Sequence, residues 1–317
     1  MTVTVEARGL QKAYGNVVAV AELSFTARAG EVVGLLGPNG AGKTTAIRVL
    51  TTILAPTAGS FSVAGVPHTR PADIRRRVGV LPESAGYPEQ QTAAEFLRYH
   101  ARLFGHSRAS AATTAGALLE QVGLAERQDS RIATYSRGMR QRLGIARALV
   151  NDPQVVFFDE PTLGLDPAGQ RQVLQLVDGI ARERGATVVL STHFLAEVED
   201  TCSRVLILNR GRVVAEGSVA EVTRRAAAPR RARFRVPAEL RDRALEVLAQ
   251  SPGFTQAQPL DGRPDWVAAT LQDPGGIPAA QVSEAVRALA GAEIPVMAFE
   301  LEGTRLSDAF LEMTGES

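Results

Sequence analysis

Cysteine is nearly absent from this 317-residue chain, and so is lysine. A single cysteine, Cys202, excludes an internal disulfide and suits a reducing cytoplasm. The formal net charge is only +1, which argues against a general binder of nucleic acid or membrane surfaces. No stretch approaches about 18 uninterrupted apolar residues, so no transmembrane helix is expected. The opening, MTVTVEARGL, lacks the basic and apolar segments of a signal peptide. Any membrane role is therefore expected to come through a partner. Of the 35 basic residues only Lys12 and Lys43 are lysines, leaving 33 arginines. Where this chain needs only positive charge it uses arginine. A retained lysine therefore asks for a chemical reason, because a compact ammonium and a planar guanidinium are not interchangeable.

At 45% apolar residues the chain can build a substantial core, and its length suggests one large and one small domain. Short apolar runs over residues 1–30, with turn signals at Gly15-Asn16 and Gly30, read as antiparallel strands. The run EVVGLLG (31–37) reads as a buried strand, followed by a glycine-rich turn and a helix over TTAIRVLTTIL (44–54). Phe96, Leu97, Leu103 and Phe104, then Leu118, Leu119 and Val122, recur at helical spacing, so residues 84–150 read as a helical insert. VVFFDE (155–160) and TVVLSTH (187–193) read as central parallel strands, with a helix at about 168–184 between them. The Arg/Ala/Pro-rich stretch at 224–236 reads as a solvated linker. Beyond it the pattern is strand, helix (Leu240, Ala244, Val247, Leu248), two strands, helix (Val282, Ala285, Val286, Leu289) and the strand PVMAFEL. That order suggests a small α+β ferredoxin-like βαββαβ module.

GPNGAGKT (37–44) fits the G-x-x-x-x-G-K-[ST] phosphate loop and lies between a buried strand and a helix, the context this motif requires. Gly37, Gly40 and Gly42 let the backbone of Pro38, Asn39 and Ala41 curl, so that successive N–H groups face phosphate oxygens. The helix N-terminus through Thr44 and Thr45 adds its positive dipole end. Lys43 would bridge β- and γ-phosphates, and Thr44 would ligate Mg²⁺. An ordinary glycine turn would leave the retained lysine unexplained. The run VVFFDE ends in two acids: Asp159 can hold Mg²⁺ and Glu160 can polarise an attacking water. His193, at the end of VVLSTH, could hydrogen-bond a γ-phosphate. His68, His100 and His106 show no metal spacing and read as surface residues; Cys202 reads as an inert thiol on a helix. Tyr14 suits either the core or stacking on a nucleobase.

Over about residues 4–220 the set resembles the ATP-binding cassette (ABC) ATPases: Tyr14, GPNGAGKTT, VVFFDEPTLGLDP and STH follow in that family's order. The resemblance implies an α/β fold with a P-loop NTPase core, comprising a mixed sheet with flanking helices, an antiparallel β-subdomain and a helical subdomain. It implies ATP and Mg²⁺ as ligands and a head-to-tail pair of subunits. In such a pair Ser136 and Gly138 of TYSRGMRQRLGIARALV would touch the γ-phosphate held by the other copy, and Asp166 of GLDP would join the two halves. Two departures stand out. The signature, usually Leu-Ser-Gly-Gly-Gln, reads Tyr135-Ser136-Arg137-Gly138-Met139, and Glu83 replaces the common glutamine as a metal-side residue. Both departures, with VLPESAGYPE and the closing LSDAFLEMTG, are similar to a branch of bacterial drug-exporter subunits of the daunorubicin-resistance type.

The implied organisation is a nucleotide-binding domain over 1–224 and an accessory domain over 225–317. The implied activity is ATP hydrolysis driving efflux through a separate integral-membrane permease. The protein would then lie in the cytoplasm at the inner face of the membrane, docked through residues 83–105, without nucleic acid. An importer's ATPase subunit is the alternative. A soluble ABC ATPase of ribosome or DNA fits less well: there is one phosphate loop, and about 90 residues between Lys43 and Ser136 leave no room for a long coiled coil.

Overall fold

The alternating apolar residues of the first 30 positions form one long hairpin. Strands β1 (Val3–Tyr14) and β2 (Val17–Arg28) pair antiparallel across a turn at Gly15, whose φ is 57°. The computed structural model describes residues 2–225, 231–260, 262–271, 278–302 and 306–315. It divides into two units, Met1–Val219 and Ala220–Ser317.

In the first unit β3 (Val32–Leu36) precedes α1 (Lys43–Leu50), and β4 (Ala58–Val63) and β5 (Val66–Pro67) follow. Helix α2 (Pro71–Arg75) leads into β6 (Val78–Leu81). The expected helical insert contains α3 (Ala93–Leu103), α4 (Arg108–Gln121) and α5 (Arg137–Ala148). Then come β7 (Val155–Asp159), α6 (Pro167–Arg184), β8 (Thr187–Thr192), α7 (Leu195–Thr201), β9 (Arg204–Asn209) and β10 (Arg212–Ser218). One sheet has the order β5-β4-β1-β2-β10-β9-β3-β8-β7-β6. The run β9-β3-β8-β7-β6 is parallel throughout. Every residue of β3, β7 and β8 is buried, which is why these strands read as unbroken apolar runs rather than alternating ones. Phe157 and Phe158 are among the largest wholly buried side chains, each worth about 1.5–3 kcal/mol in water-excluded surface.

Helix starts follow local chemistry. Thr92 and Glu95 close a reciprocal capping box on α3, and Ser107, Ser136 and Asp166 each accept a backbone N–H at the starts of α4, α5 and α6. Helix α1 ends at Leu50, four residues short of the expected 54, because Thr52 turns left-handed at φ 61°.

The second unit follows α8 (Val219–Arg225) with β11 (Arg231–Arg235), α9 (Arg241–Gln250), β12 (Phe254–Leu260), β13 (Arg263–Leu271), α10 (Pro278–Gly291), β14 (Ala298–Glu302) and α11 (Leu306–Thr314). Its strands form an antiparallel sheet in the order β12-β13-β11-β14. Phe234, Val267 and Ala269 pack with Ala244, Leu248, Ala285 and Leu289 in a core of their own. The linker expected at 224–236 is shorter than its composition suggests: α8 reaches Arg225 and β11 begins at Arg231, while 226–230 lie outside the described residues.

Candidate functional site

The carboxyl ends of β3, β8, β7 and β6 lie side by side, the edge of a parallel sheet where ligands bind. The loop after β3 passes so close to its neighbours that side chains are excluded. A Cβ at Gly37 would lie 2.4 Å from the Leu208 carbonyl oxygen, and one at Gly42, where φ is 102°, 2.4 Å from that of Ala19. Lys43 comes next, buried at the start of α1. Its Nζ donates to the carbonyls of Gly37 at 2.6 Å and Pro38 at 3.3 Å, and lies 3.5 Å from Glu160 Oε1. A buried ammonium is costly unless so paired.

At the end of β7 Asp159 Oδ1 accepts from Ser191 Oγ at 2.6 Å and Thr44 Oγ1 at 3.1 Å. The next residue, Glu160, has φ 49°, a left-handed conformation costing about 1–3 kcal/mol for a side chain of this kind. The surroundings enforce it. Its N–H lies 3.1 Å from both the carbonyl and the Oγ of Ser191, and its carbonyl accepts from Leu163 N–H at 3.2 Å. The Glu160 carboxylate then stands between Lys43 and His193, whose Nδ1 is 2.9 Å from Oε2. The cleft in front, about 540 Å³, is lined by Asn39 through Thr45, Glu83, Glu160 and His193.

Ser136, Gly138 and Asp166 line a different cleft, about 380 Å³, between the starts of α5 and α6. Ser136 Oγ accepts from Met139 N–H at 3.3 Å and Asp166 Oδ1 from Gly169 N–H at 3.0 Å. Arg137 packs on Gly164, where a Cβ would lie 2.5 Å from its Cζ. One chain thus gathers the phosphate-loop residues, Asp159, Glu160, His193 and Glu83, but holds the signature residues apart from them.

Tyr14 is 46% exposed at the end of β1, which removes the core alternative; Lys12 Nζ sits 5.3 Å from its ring centre. The three remaining histidines are half-buried rather than surface residues, because neighbouring rings cover two of them: His68 stacks on Phe61 and His100 meets Phe96 edge-on. Burial holds His100 below the usual histidine pKa, favouring the neutral ring. Cys202 caps the end of α7 and is buried, its thiol pushed up to about 12 by loss of water. The sequence reading passed over Ser191, although it stands in the quoted STH, and also Thr162 and Glu197, both buried beside Glu160. For Glu197 the signal was an acid inside the apolar run Phe194-Leu195-Ala196-Glu197-Val198.

Comparison with known proteins matches residues 20–163 to the family described as ABC transporter. Over 99% of this chain and 93% of the relative, the sequence is 37% identical to the daunorubicin/doxorubicin resistance ATP-binding protein DrrA of Streptomyces peucetius. The chain belongs to the ABC transporter family. It is 42% identical to the Nod factor export ATP-binding protein I of Mesorhizobium japonicum, across 68% of this chain and 64% of that one. The ATP-binding subunit of an ABC transporter superposes with a TM-score of 0.63 at 33% identity, over 70% of this chain and 92% of that one. A dimeric cassette in a post-hydrolysis state bound to ADP and Pi gives 0.62 at 25% identity, over 68% and 98%. This ABC protein is an ATP-hydrolysing subunit of the exporter type, and such cassettes bind ATP and work as dimers with transmembrane subunits. The importer alternative gains no support from these relatives. Among the described residues no helix is long and apolar enough to cross a membrane.

Proposed function

We propose that this chain powers efflux of a small molecule, a drug-like or lipid-like compound, through a separate integral-membrane permease. Two identical copies pair head to tail, at the cytoplasmic face of the membrane. The observation that carries the pairing is the separation of Ser136, Gly138 and Asp166 from the phosphate-loop cleft, since each cleft presents only half of a phosphate site. The two helix starts in the second cleft suit an anion brought by another subunit. The substrate class follows from relatives named for daunorubicin and doxorubicin resistance and for Nod factor export.

Within this reading the N–H groups from Asn39 to Thr45 cradle the phosphates, and Lys43 exchanges its loop carbonyls for β- and γ-phosphate oxygens. Thr44 and Asp159, already 3.1 Å apart, are hard oxygen donors that fit Mg²⁺, which keeps several waters and needs few protein ligands. Glu83 lines the same cleft as an outer contact. Bound there, Mg²⁺ would neutralise phosphate charge. Glu160 accepts a proton from the attacking water, and His193 holds that carboxylate in place while offering its other ring nitrogen to the γ-phosphate. Tyr14, exposed, stacks on the base. Exposed Tyr99, Leu103 and Phe104 on and just after α3, with Ile53 nearby, support residues 83–105 as the docking surface for the permease. Residues 1–224 are read as the nucleotide-binding domain. Residues 225–317 are read as a ferredoxin-like accessory domain, supported by the strand order β12-β13-β11-β14. The test is the oligomeric state of Glu160→Gln with ATP and Mg²⁺. A stable ATP-loaded dimer is expected, and a protein that binds ATP but stays monomeric would overturn the pairing.

A further inference from the structure

Behind the Glu160–His193 pair lies a further buried carboxyl group to which that reading gives no task. Glu197, in the first turn of α7, is 5% exposed. Its Oε2 accepts from Thr192 Oγ1 at 2.8 Å, and the same hydroxyl oxygen accepts from Phe194 N–H at 3.0 Å. Those contacts bracket His193 on both sides. The other carboxyl oxygen, Oε1, is buried without a hydrogen-bond partner, and so is the hydroxyl of Thr162, two residues after Glu160. The two groups are neighbours without being bonded: the Thr162 hydroxyl comes near enough to the Glu197 carboxyl to lower its pKa. Burial raises its pKa, the Thr162 and Thr192 hydroxyls and His193 oppose the rise, and the Glu160 charge adds to it. Cys202, on the far side, is neutral and itself raised by burial and by Glu197.

An apolar side chain of similar size would fill this core position at lower cost, because a buried carboxyl with an unpaired oxygen is expensive. What leucine could not do is join two segments. We propose that Glu197 is a positioning residue that ties the Thr162 turn following Glu160 to the Thr192 end of β8, and so holds the Glu160–His193 pair in register for hydrolysis. Glu160 leaves β7 in a left-handed conformation that only its surroundings maintain, and Thr162 lies in the turn it enters. Releasing Thr162 lets that turn relax and moves the Glu160 carboxylate away from His193. The phosphate loop keeps its glycines and the Lys43 bonds to the carbonyls of Gly37 and Pro38. Loss of Glu197 should therefore lower kcat and spare ATP binding.

The inference rests on Glu160 as the residue that polarises water, so the experiment carries Glu160→Gln as its control in the full-length protein. ATP Kd and kcat are measured for each variant. Glu197→Leu is expected to lower kcat by about tenfold or more with Kd within about twofold, since small misplacements at a reacting centre are costly. Glu197→Gln keeps an acceptor for Thr192 and a donor for Thr162, and is expected to retain kcat within about threefold. Thr162→Val removes the link from the other end at nearly constant volume, lowers kcat in the same direction, and adds little to Glu197→Leu in the double variant. Wild-type kcat in Thr162→Val overturns the proposal, and decides alone should Glu197→Leu fail to fold. A loss of affinity that matches the loss of kcat also overturns it, since that is what a general structural defect would produce. If Glu160→Gln is inactive while Glu197→Leu and Thr162→Val turn over normally, only the positioning role fails. If Glu160→Gln itself turns over normally, the reading beneath it fails too.

Discussion

The first unit buries four acidic or basic side chains, Lys43, Asp159, Glu160 and Glu197, whereas the described residues of the second unit bury none. The second unit's core is made of alanine, valine, leucine, isoleucine and phenylalanine, with Ser251 and Thr223 among its few buried polar groups. Removing charge from water costs several kcal/mol per ion unless it is paired. A fold bears that cost where chemistry requires it, so the contrast supports the proposed assignment of the reaction to the first unit. The contrast is also geometric: the first unit forces Glu160 into a left-handed turn beside its charges. Among the described residues of the second unit the left-handed non-glycine residue is Glu293, far in sequence from any site residue.

The largest effect expected from this difference is on hydrolysis. Glu160→Gln keeps the shape of the side chain and its contact with His193 but loses the base, so ATP turnover should fall about 100-fold or more while binding persists. Single-turnover hydrolysis measures this, and wild-type turnover would remove Glu160 from that role. Lys43→Ala acts one step earlier. Each charge-assisted contact to phosphate is worth about 1.5–3 kcal/mol, so ATP affinity should drop about tenfold to a hundredfold by titration calorimetry.

Subunit mixing gives an intermediate effect. Ser136→Arg fills the second cleft, and Lys43→Ala empties the first. Neither homodimer should turn over. Each mixed dimer retains one complete composite site, so an equimolar mixture should recover about a quarter of wild-type ATPase activity. No recovery, with mixed dimers demonstrated, would count against a head-to-tail site. Glu83 produces a smaller change. Glu83→Gln should hold ATPase near wild type, and Glu83→Ala should reduce transport in vesicles more than ATP affinity. Equal, negligible effects of both on transport would detach Glu83 from the site.

Much of the first unit was legible in the sequence because its function imposes residues that folding alone would avoid. Gly37 and Gly42 stand where no side chain fits, Lys43 is one of two lysines, and Asp159-Glu160 end an otherwise apolar strand. Parallel strands buried on both faces gave unbroken apolar runs, which located β3, β7 and β8 closely. Contacts among residues distant in the chain were not legible. Ser191 meets Asp159 across 32 positions, and the approach of Thr162 to Glu197 depends on where α7 packs after β8. The end of α1 was also missed: TTIL continues the helical periodicity, and only the left-handed turn at Thr52 stops it. The half-burial of His68 and His100 arises from ring contacts that spacing does not encode.

The smallest expected effect tests the comparison from the side of the second unit. If the chemistry lies wholly in the first, a 1–224 protein should bind ATP with affinity within about twofold of the full chain, since the described residues of the second unit bury no charged side chain. What it should lose is transport, through weaker pairing or assembly with the permease. A truncated protein can fail merely by unfolding, and the chain carries its own control. Cys202, the single thiol, lies in the first unit; it is buried and its pKa is pushed up to about 12. At pH 8 it should resist alkylation while the first unit is folded and react at the rate of an ordinary thiol once that unit opens. Trp266, the single tryptophan, lies in β13 of the second unit, so its fluorescence is a separate reporter of that unit in the full chain. A 1–224 protein whose Cys202 stays protected, but which no longer binds ATP, would show that the second unit supplies something to the nucleotide site that its apolar core does not reveal.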